Sequence, residues 1–149
     1  HDSLTLCNWT QPLWVSPRKD KKYRGDPDAE AKFFSAVTGI NKTRDELWQD
    51  GLRILTLFRA LTMRSMNEVD MRVQHDIIPE WAYSYPKGAK PFAPGSNILD
   101  KADMETAKDL FYDELGYDRK TGAPTKATLT KLKLDYVATA LGPKGLVPA

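Results

Sequence analysis

Apolar positions recur at helical spacing in the middle of the chain. After Pro27, Asp28 is placed to cap a helix with a short apolar face that ends at Gly39. A longer apolar stripe then extends to about Met66, through Leu47, Trp48, Leu52, Leu55, Phe58, Leu61 and Thr62. The pattern predicts two helices within residues 28–66, of which the second is long and amphipathic.

The second of these helices carries a start signal. In Thr43-Arg44-Asp45-Glu46, the threonine and the glutamate have the spacing of a capping box, in which the side chain of each accepts a hydrogen bond from the backbone N–H of the other. Gly51, inside the helix, costs roughly 1 kcal/mol relative to alanine and is typical of a close approach between helices.

Shorter helical patterns occupy residues 103–141. Asp103 is predicted to cap a helix that ends at Gly116, and residues 118–122 form a turn. Two more helices are predicted, one opened by Pro124-Thr125 and a last short one over Tyr136, Val137 and Leu141. No stretch alternates with a period of two over several residues, which argues against a sheet.

The remaining segments lack a regular pattern. Residues 1–15 are apolar and aromatic and predict a buried irregular arm, whereas residues 16–27 are basic and predict an exposed loop. Residues 67–102 contain four prolines and two glycines and predict a long loop, of the kind that is functional or packed on a neighbour. The expected fold is all-α, a single irregular helical domain over residues 1–149.

Composition narrows the classes of function. The chain has 149 residues, 41% hydrophobic and 28% charged, as is typical of one soluble globular domain. Lys and Arg total 22 against 20 for Asp and Glu, so the net charge of +2 argues against binding to nucleic acid or an anionic membrane. No apolar run approaches the roughly 18–20 residues of a membrane span. One cysteine excludes an internal disulfide, which suits a cytoplasmic location, and no targeting signal is visible.

Several residues are candidates for chemistry, and each also has a structural interpretation. By default Cys7 is a small buried hydrophobe and Asp2 a helix cap or a loose terminal residue. His75 and Asp76 are neighbours, as an acid–base pair can be, but the favoured interpretation is that His75 is a histidine in a surface loop. The basic run at residues 18–22 is either a solvated loop or a docking site for an acidic electron carrier. The aromatic residues favour a core over a substrate box, namely Trp9, Trp14, Phe33, Phe34, Trp48 and Phe58.

A short motif near the start of the chain points to a family. Asp2-Ser3-Leu4-Thr5-Leu6-Cys7-Asn8 resembles the Asp-x-x-Gly-Leu-Cys-x motif of the aldehyde ferredoxin oxidoreductases. Further similar blocks follow in the same order along the chain, at residues 46–58, 72–80, 112–118, 122–125 and 132–134. The resemblance therefore covers nearly the whole chain and identifies it as the C-terminal helical part of such an enzyme.

The resemblance implies an activity and a set of cofactors. Members of the family oxidise aldehydes to carboxylic acids with tungsten or molybdenum held by two pterins, and a 4Fe-4S cluster passes the electrons to ferredoxin. The implied partners are the upstream domains of the same polypeptide, ferredoxin or a similar carrier, and the aldehyde, with a homodimer left open. This chain by itself is expected to be inactive and to bind no cofactor.

The resemblance also assigns three site residues. It implies that Cys7 is the fourth ligand of the cluster and that Asp2 and the backbone of Leu6 contact one pterin. Thr5 stands where the family has glycine, which puts the Leu6 contact in doubt because glycine lets a ligand approach the backbone closely. The family's acid–base residues lie upstream of the motif, so none maps onto this chain.

Two hypotheses of different classes remain. The first is the C-terminal part of the oxidoreductase, favoured by the joint presence of Asp2 and Cys7. The second is a stand-alone helical interaction module that keeps the family's fold without its cofactor, favoured by Thr5. Three closely spaced cysteines upstream of this sequence would decide for the enzyme.

Overall fold

The structure, a computed structural model, describes residue 22 and residues 25–84 and 99–148. The α-helices of these residues are α1 (Ala29–Thr38), α2 (Arg44–Met66), α3 (Met71–Gln74), α4 (Lys101–Leu115), α5 (Lys126–Lys131) and α6 (Asp135–Leu141). Short 3₁₀ helices follow at Glu80–Tyr83 and Gly142–Lys144. The described ranges contain no strand, only an isolated bridge between Tyr117 and Pro124. The prediction of an all-α fold is confirmed.

The chain divides into two compact units, His1–Ile54 and Leu55–Ala149. Helix α2 contributes residues to both units. The organisation of residues 1–149 as a single domain stays a prediction. None of the helices in the described ranges is long and apolar enough to cross a membrane.

In the first unit, the predicted capping box forms at the start of α2. The backbone N–H of Thr43 donates to Glu46 Oε2 at 2.8 Å, and the N–H of Glu46 donates to Thr43 Oγ1 at 3.2 Å. Helix α1 ends at Gly39 in the left-handed conformation, as predicted. Asp28 occupies the N-cap position of α1, but its side chain accepts no capping bond there. Its own N–H donates instead to Asp26 Oδ1 at 2.9 Å.

The second unit holds most of the buried side chains among the described residues. From α2 these are Thr56, Ala60 and Met63, which are spaced four and three residues apart and share one face of the helix. Met71 begins α3 and Tyr112 lies in the last turn of α4. The C-terminal segment adds Tyr117, Ala123, Leu129, Leu132, Leu134, Val137, Leu141 and Leu146.

The turn between α4 and α5 is held by short side chains. Helix α4 ends at Gly116 with φ of 69°, and the carbonyl of Gly116 accepts hydrogen bonds from the hydroxyls of Thr125 and Thr128. The Asp118 carboxylate accepts the N–H of Thr121 at 2.9 Å. Thr125 then caps α5 by accepting the N–H of Thr128 at 3.2 Å. The predicted turn and the predicted start of α5 are both confirmed.

Two predictions about residues 67–103 are corrected by the structure. The predicted loop contains α3 and a 3₁₀ helix, and residues 85–98 lie outside the described residues. Helix α4 is capped by Asp100, not by Asp103, because the Asp100 carboxylate accepts the N–H groups of Ala102 and Asp103 at 2.7 and 3.0 Å. Asp103 lies in the first turn, where a negative charge complements the helix dipole.

The predicted aromatic core is wrong for three residues. Phe33, Trp48 and Phe58 are all more than half exposed. The helical spacing of an apolar stripe reports which face of a helix is apolar, but it does not report what covers that face. On α2 the buried positions are instead the smaller residues Thr56 and Ala60, together with Met63.

Candidate functional site

The Asp76 carboxylate, just after α3, lies at the centre of a cluster of polar side chains in the second unit. Arg59 of α2 donates from Nη1 to Oδ1 at 2.8 Å and from Nη2 to Oδ2 at 2.6 Å. The hydroxyl of Tyr112 donates to Oδ2 at 2.7 Å, and Nδ1 of His75 lies 2.8 Å from Oδ1. The Arg59 side chain is 10% exposed and that of Asp76 20%, so this is a largely buried, bidentate ion pair.

The electrostatics of this cluster favour a fixed ion pair. Burial alone would raise the pKa of Asp76, but the hydrogen bonds from Arg59, His75 and Tyr112 outweigh it and lower this pKa to about 2. Burial and the bond to Asp76 raise the pKa of Tyr112 well above its ordinary value. Asp76 is therefore ionised and Tyr112 protonated throughout the neutral range. Neither group has a pKa near the operating pH that a general acid or base needs.

A second network lies beside the first. Arg72 of α3 donates from Nη1 to Asp109 Oδ1 at 2.5 Å and from Nη2 to Glu105 Oε2 at 2.6 Å, both on α4. Its Nη1 also donates to the backbone carbonyl of Arg119 at 2.6 Å. The guanidinium carbon lies 5.6 Å from the centroid of the Tyr112 ring. Arg72 thus ties α3 to α4 and to the turn after it, and holds Tyr112 in place for Asp76.

A small cleft opens next to the Asp76 cluster. Its volume is about 150 Å³, and its accessible lining consists almost wholly of apolar atoms. The lining residues are Leu55, Phe58, Arg59, Thr62, His75, Phe111, Leu115 and Tyr117. The Tyr117 hydroxyl donates to Thr56 Oγ1 at 3.1 Å and the Thr62 hydroxyl to the Phe58 carbonyl at 3.1 Å. These two polar groups therefore bond to the protein itself.

The three site residues assigned from the sequence, Asp2, Leu6 and Cys7, lie outside the described residues, and their roles stay predictions. The basic run at residues 18–22 is described only at Lys22. Within the part of the chain that the structure describes, no three His, Cys, Asp or Glu side chains are grouped so that they could hold a metal ion.

The sequence interpretation found part of the Asp76 cluster and missed the rest. His75 is half exposed, as the surface interpretation predicts, and it does contact Asp76. Arg59 and Tyr112 were not identified as partners. Arg59 lies on the amphipathic helix α2, and 17 residues separate it from Asp76. Sequence spacing within one helix cannot indicate such a partner.

The chain matches a known protein family over most of its length. Residues 1–134 match the family model described as aldehyde ferredoxin oxidoreductase, domains 2 & 3. This range contains the motif at residues 2–8 and every other block on which the resemblance rests. No solved structure matches the chain. Because the match covers most of its length, the chain belongs to the aldehyde ferredoxin oxidoreductase family, a family of oxidoreductases.

Proposed function

We propose that this chain is the C-terminal part of a tungsten- or molybdenum-pterin enzyme that oxidises aldehydes to carboxylic acids. Electrons would leave through a 4Fe-4S cluster to ferredoxin or a similar carrier. The observation that carries the proposal is the family match over residues 1–134, which includes the Asp-x-x-x-Leu-Cys motif at its start.

The donor set of this chain fits one ligand position of a 4Fe-4S cluster. A 4Fe-4S cluster takes thiolates, usually four, and the chain has a single cysteine, Cys7. Cys7 therefore fits as one ligand of a cluster whose other ligands come from elsewhere in a longer polypeptide. The bound metal and cluster would supply the redox chemistry.

The chain's own residues would bind and orient these groups. Cys7 would offer its thiolate to one iron, and the ionised Asp2 would accept hydrogen bonds from the donor-rich edge of a pterin. The backbone of Leu6 would lie against the same pterin. Thr5 has a side chain where the family's glycine has none, so this backbone contact is the part of the proposal that Thr5 most directly challenges.

The described residues would act as a scaffold. Hydrogen bonds from Arg59, His75 and Tyr112 keep Asp76 ionised, and burial together with the bond to Asp76 keeps Tyr112 protonated. We therefore place no acid–base step on them and expect those groups in the upstream domains. The basic run at residues 18–22 is a candidate docking site for an acidic carrier such as ferredoxin.

The test is Cys7→Ser in the complete polypeptide. A serine oxygen is a harder ligand than the thiolate that iron–sulfur clusters use, so we expect lower iron content and a weaker cluster signal in electron paramagnetic resonance. Circular dichroism should show unchanged helix content. Asn8→Ser is the matched control, because it makes the same new side chain one residue later, at an unspecified motif position.

Wild-type cluster content and turnover in Cys7→Ser would contradict the assignment and leave Cys7 as a buried hydrophobe. A complete polypeptide that holds neither iron nor pterin would support the stand-alone interaction module instead, the alternative that Thr5 favours. Elemental analysis of the same preparation distinguishes tungsten from molybdenum.

A further inference from the structure

Gly51 lies in the first half of α2, where neither usual reason for a glycine applies. Its φ is outside the left-handed region, which the glycines at the ends of α1 and α4 occupy. A Cβ at Gly51 would meet no heavy atom of the described residues within 4 Å, so the close approach between helices that this glycine predicts is not found there. Glycine makes this turn less stable than alanine would, because its backbone loses more conformational freedom in a helix.

The turn that follows Gly51 has little besides its backbone hydrogen bonds to hold it. None of residues 51–55 is buried, and in the part of the chain that the structure describes their side chains form no ion pair or hydrogen bond. Ile54 is 50% exposed and Leu55 is 43% exposed. Helices in proteins owe most of their stability to the packing of one face. Such packing is largely missing here, so this turn opens at a lower free energy than a packed one.

The helix is held more firmly on both sides of this turn. Before it, the ammonium of Lys42 pairs with the carboxylate of Asp50, and the capping box fixes the first turn of α2. After it, Thr56 is buried and accepts a hydrogen bond from the hydroxyl of Tyr117 at 3.1 Å. Residues 51–55 are therefore a weak turn between two well-held parts of the same helix.

The division of the chain into two compact units falls in this same turn, between Ile54 and Leu55. Hinges are formed by a few residues that absorb a change in φ and ψ while the parts on either side stay intact, and they often include a small residue. We infer that residues 51–55 are a hinge, at which α2 opens locally while both units stay folded. This inference goes beyond the proposed function, and no cofactor takes part in it.

The test is native-state hydrogen exchange of the chain, resolved at single amides by nuclear magnetic resonance. The N–H groups of residues 52–55 donate to the carbonyls of residues 48–51, so opening at the hinge exposes them to exchange. We expect these amides to exchange faster than those of residues 48–50 on one side and residues 60–63 on the other. Fraying from the start of α2 would instead give exchange that slows steadily from residue 48 to residue 63, and this result would overturn the hinge.

Two glycine variants identify the opening that exposes residues 52–55. Gly51→Ala should slow their exchange about fivefold, which is the fold-change that corresponds to roughly 1 kcal/mol of helix propensity. Gly142→Ala is the matched control, since Gly142 is also helical, with φ of −55° and ψ of −49°, and a Cβ there meets nothing within 4 Å. It lies outside α2, so it should leave exchange at residues 52–55 unchanged.

The control variant separates local opening from global unfolding. If Gly142→Ala slows exchange at residues 52–55 as much as at residues 60–63, these amides exchange through global unfolding and the hinge is overturned. The hinge is also overturned if Gly51→Ala leaves exchange at residues 52–55 unchanged. Because the chain is studied without cofactors, none of these results bears on the proposed function.

Discussion

Asp76 shows how one carboxylate can organise three side chains that are distant in sequence. It forms an ion pair with Arg59, accepts a hydrogen bond from the hydroxyl of Tyr112 and contacts the ring of His75. A largely buried guanidinium without a counter-ion destabilises the folded state. Removal of one partner therefore costs more folding free energy than the intact ion pair contributes. The contribution of Asp76 lies in fixing α2 and α4 about the segment that follows α3.

We expect Asp76→Asn to lower the free energy of unfolding by about 2–3 kcal/mol, because the amide leaves Arg59 without a counter-ion and places an N–H₂ group against donors. Urea unfolding followed by circular dichroism measures this change. Asp113→Asn is the control, since Asp113 also pairs with an arginine, Arg119, but in an exposed position, and its loss should matter little. Equal effects of the two substitutions would contradict a special role for Asp76.

A comparison of wild type with Asp76→Asn also predicts how stability depends on pH. The pKa of Asp76 falls from an ordinary value of 3.8 to about 2 on folding. A carboxyl group with a lowered pKa in the folded state adds stability above its unfolded pKa and loses it as the pH falls. The stability difference between wild type and Asp76→Asn should therefore be constant at neutral pH and shrink between about pH 4 and pH 2. A difference that does not change over this range would show that Asp76 is not held ionised.

At the scale of elements, the sequence predicted those starts and ends that local chemistry sets. The Thr43–Glu46 box, the left-handed Gly39 and Gly116 and the Thr125 cap each involve groups a few residues apart. The start of α4 was wrong because Asp100 and Asp103 are both suitable caps, and only the extended backbone at Asp100, with φ of −87° and ψ of 135°, decides between them. Which face of α2 is buried was also missed, since that depends on its neighbours.

Gly122, in the turn after α4, lies close to the side chain of Tyr112. Gly122 has φ of 67°, and a Cβ there would lie 2.8 Å from Cζ and the hydroxyl oxygen of Tyr112. Gly145 has φ of 70°, but a Cβ there would meet nothing within 4 Å. Gly145→Ala should then cost only the left-handed strain of roughly 1–2 kcal/mol. Gly122→Ala should cost more than that because it also displaces Tyr112 from Asp76.

Thermal or urea unfolding of the two glycine variants measures the difference. Near-ultraviolet circular dichroism should change in Gly122→Ala, as Tyr112 moves, and stay the same in Gly145→Ala. If both variants lose equal stability, backbone strain alone explains both, and Tyr112 tolerates a methyl group at its side.

At the scale of the whole molecule, buried side chains are unevenly distributed between the two units. Among the described residues of the first unit, Ala31 is the one hydrophobic residue that is buried. The second unit buries Met63, Met71, Tyr112, Leu129 and Leu134 almost completely. Composition and periodicity could not indicate this, because α1 of the first unit and α4 of the second are both amphipathic. Whether a stripe is covered depends on contacts that the stripe itself does not encode.

This distribution predicts where the structure opens first. Native-state hydrogen exchange should give the slowest amides, with protection close to the global stability, at residues 60–63 of α2, at the end of α4 and in α5. The amides of α1 should exchange through local opening at much lower free energy, although α1 has ten residues and a left-handed glycine stop like that of α4. Low concentrations of urea distinguish local opening of α1 from global unfolding. Urea should accelerate exchange in the second unit but leave exchange in α1 almost unchanged, because little surface is exposed when α1 opens. Equal protection and equal urea dependence in α1 and α4 would contradict this prediction, because the amides of α1 would then exchange only through global unfolding.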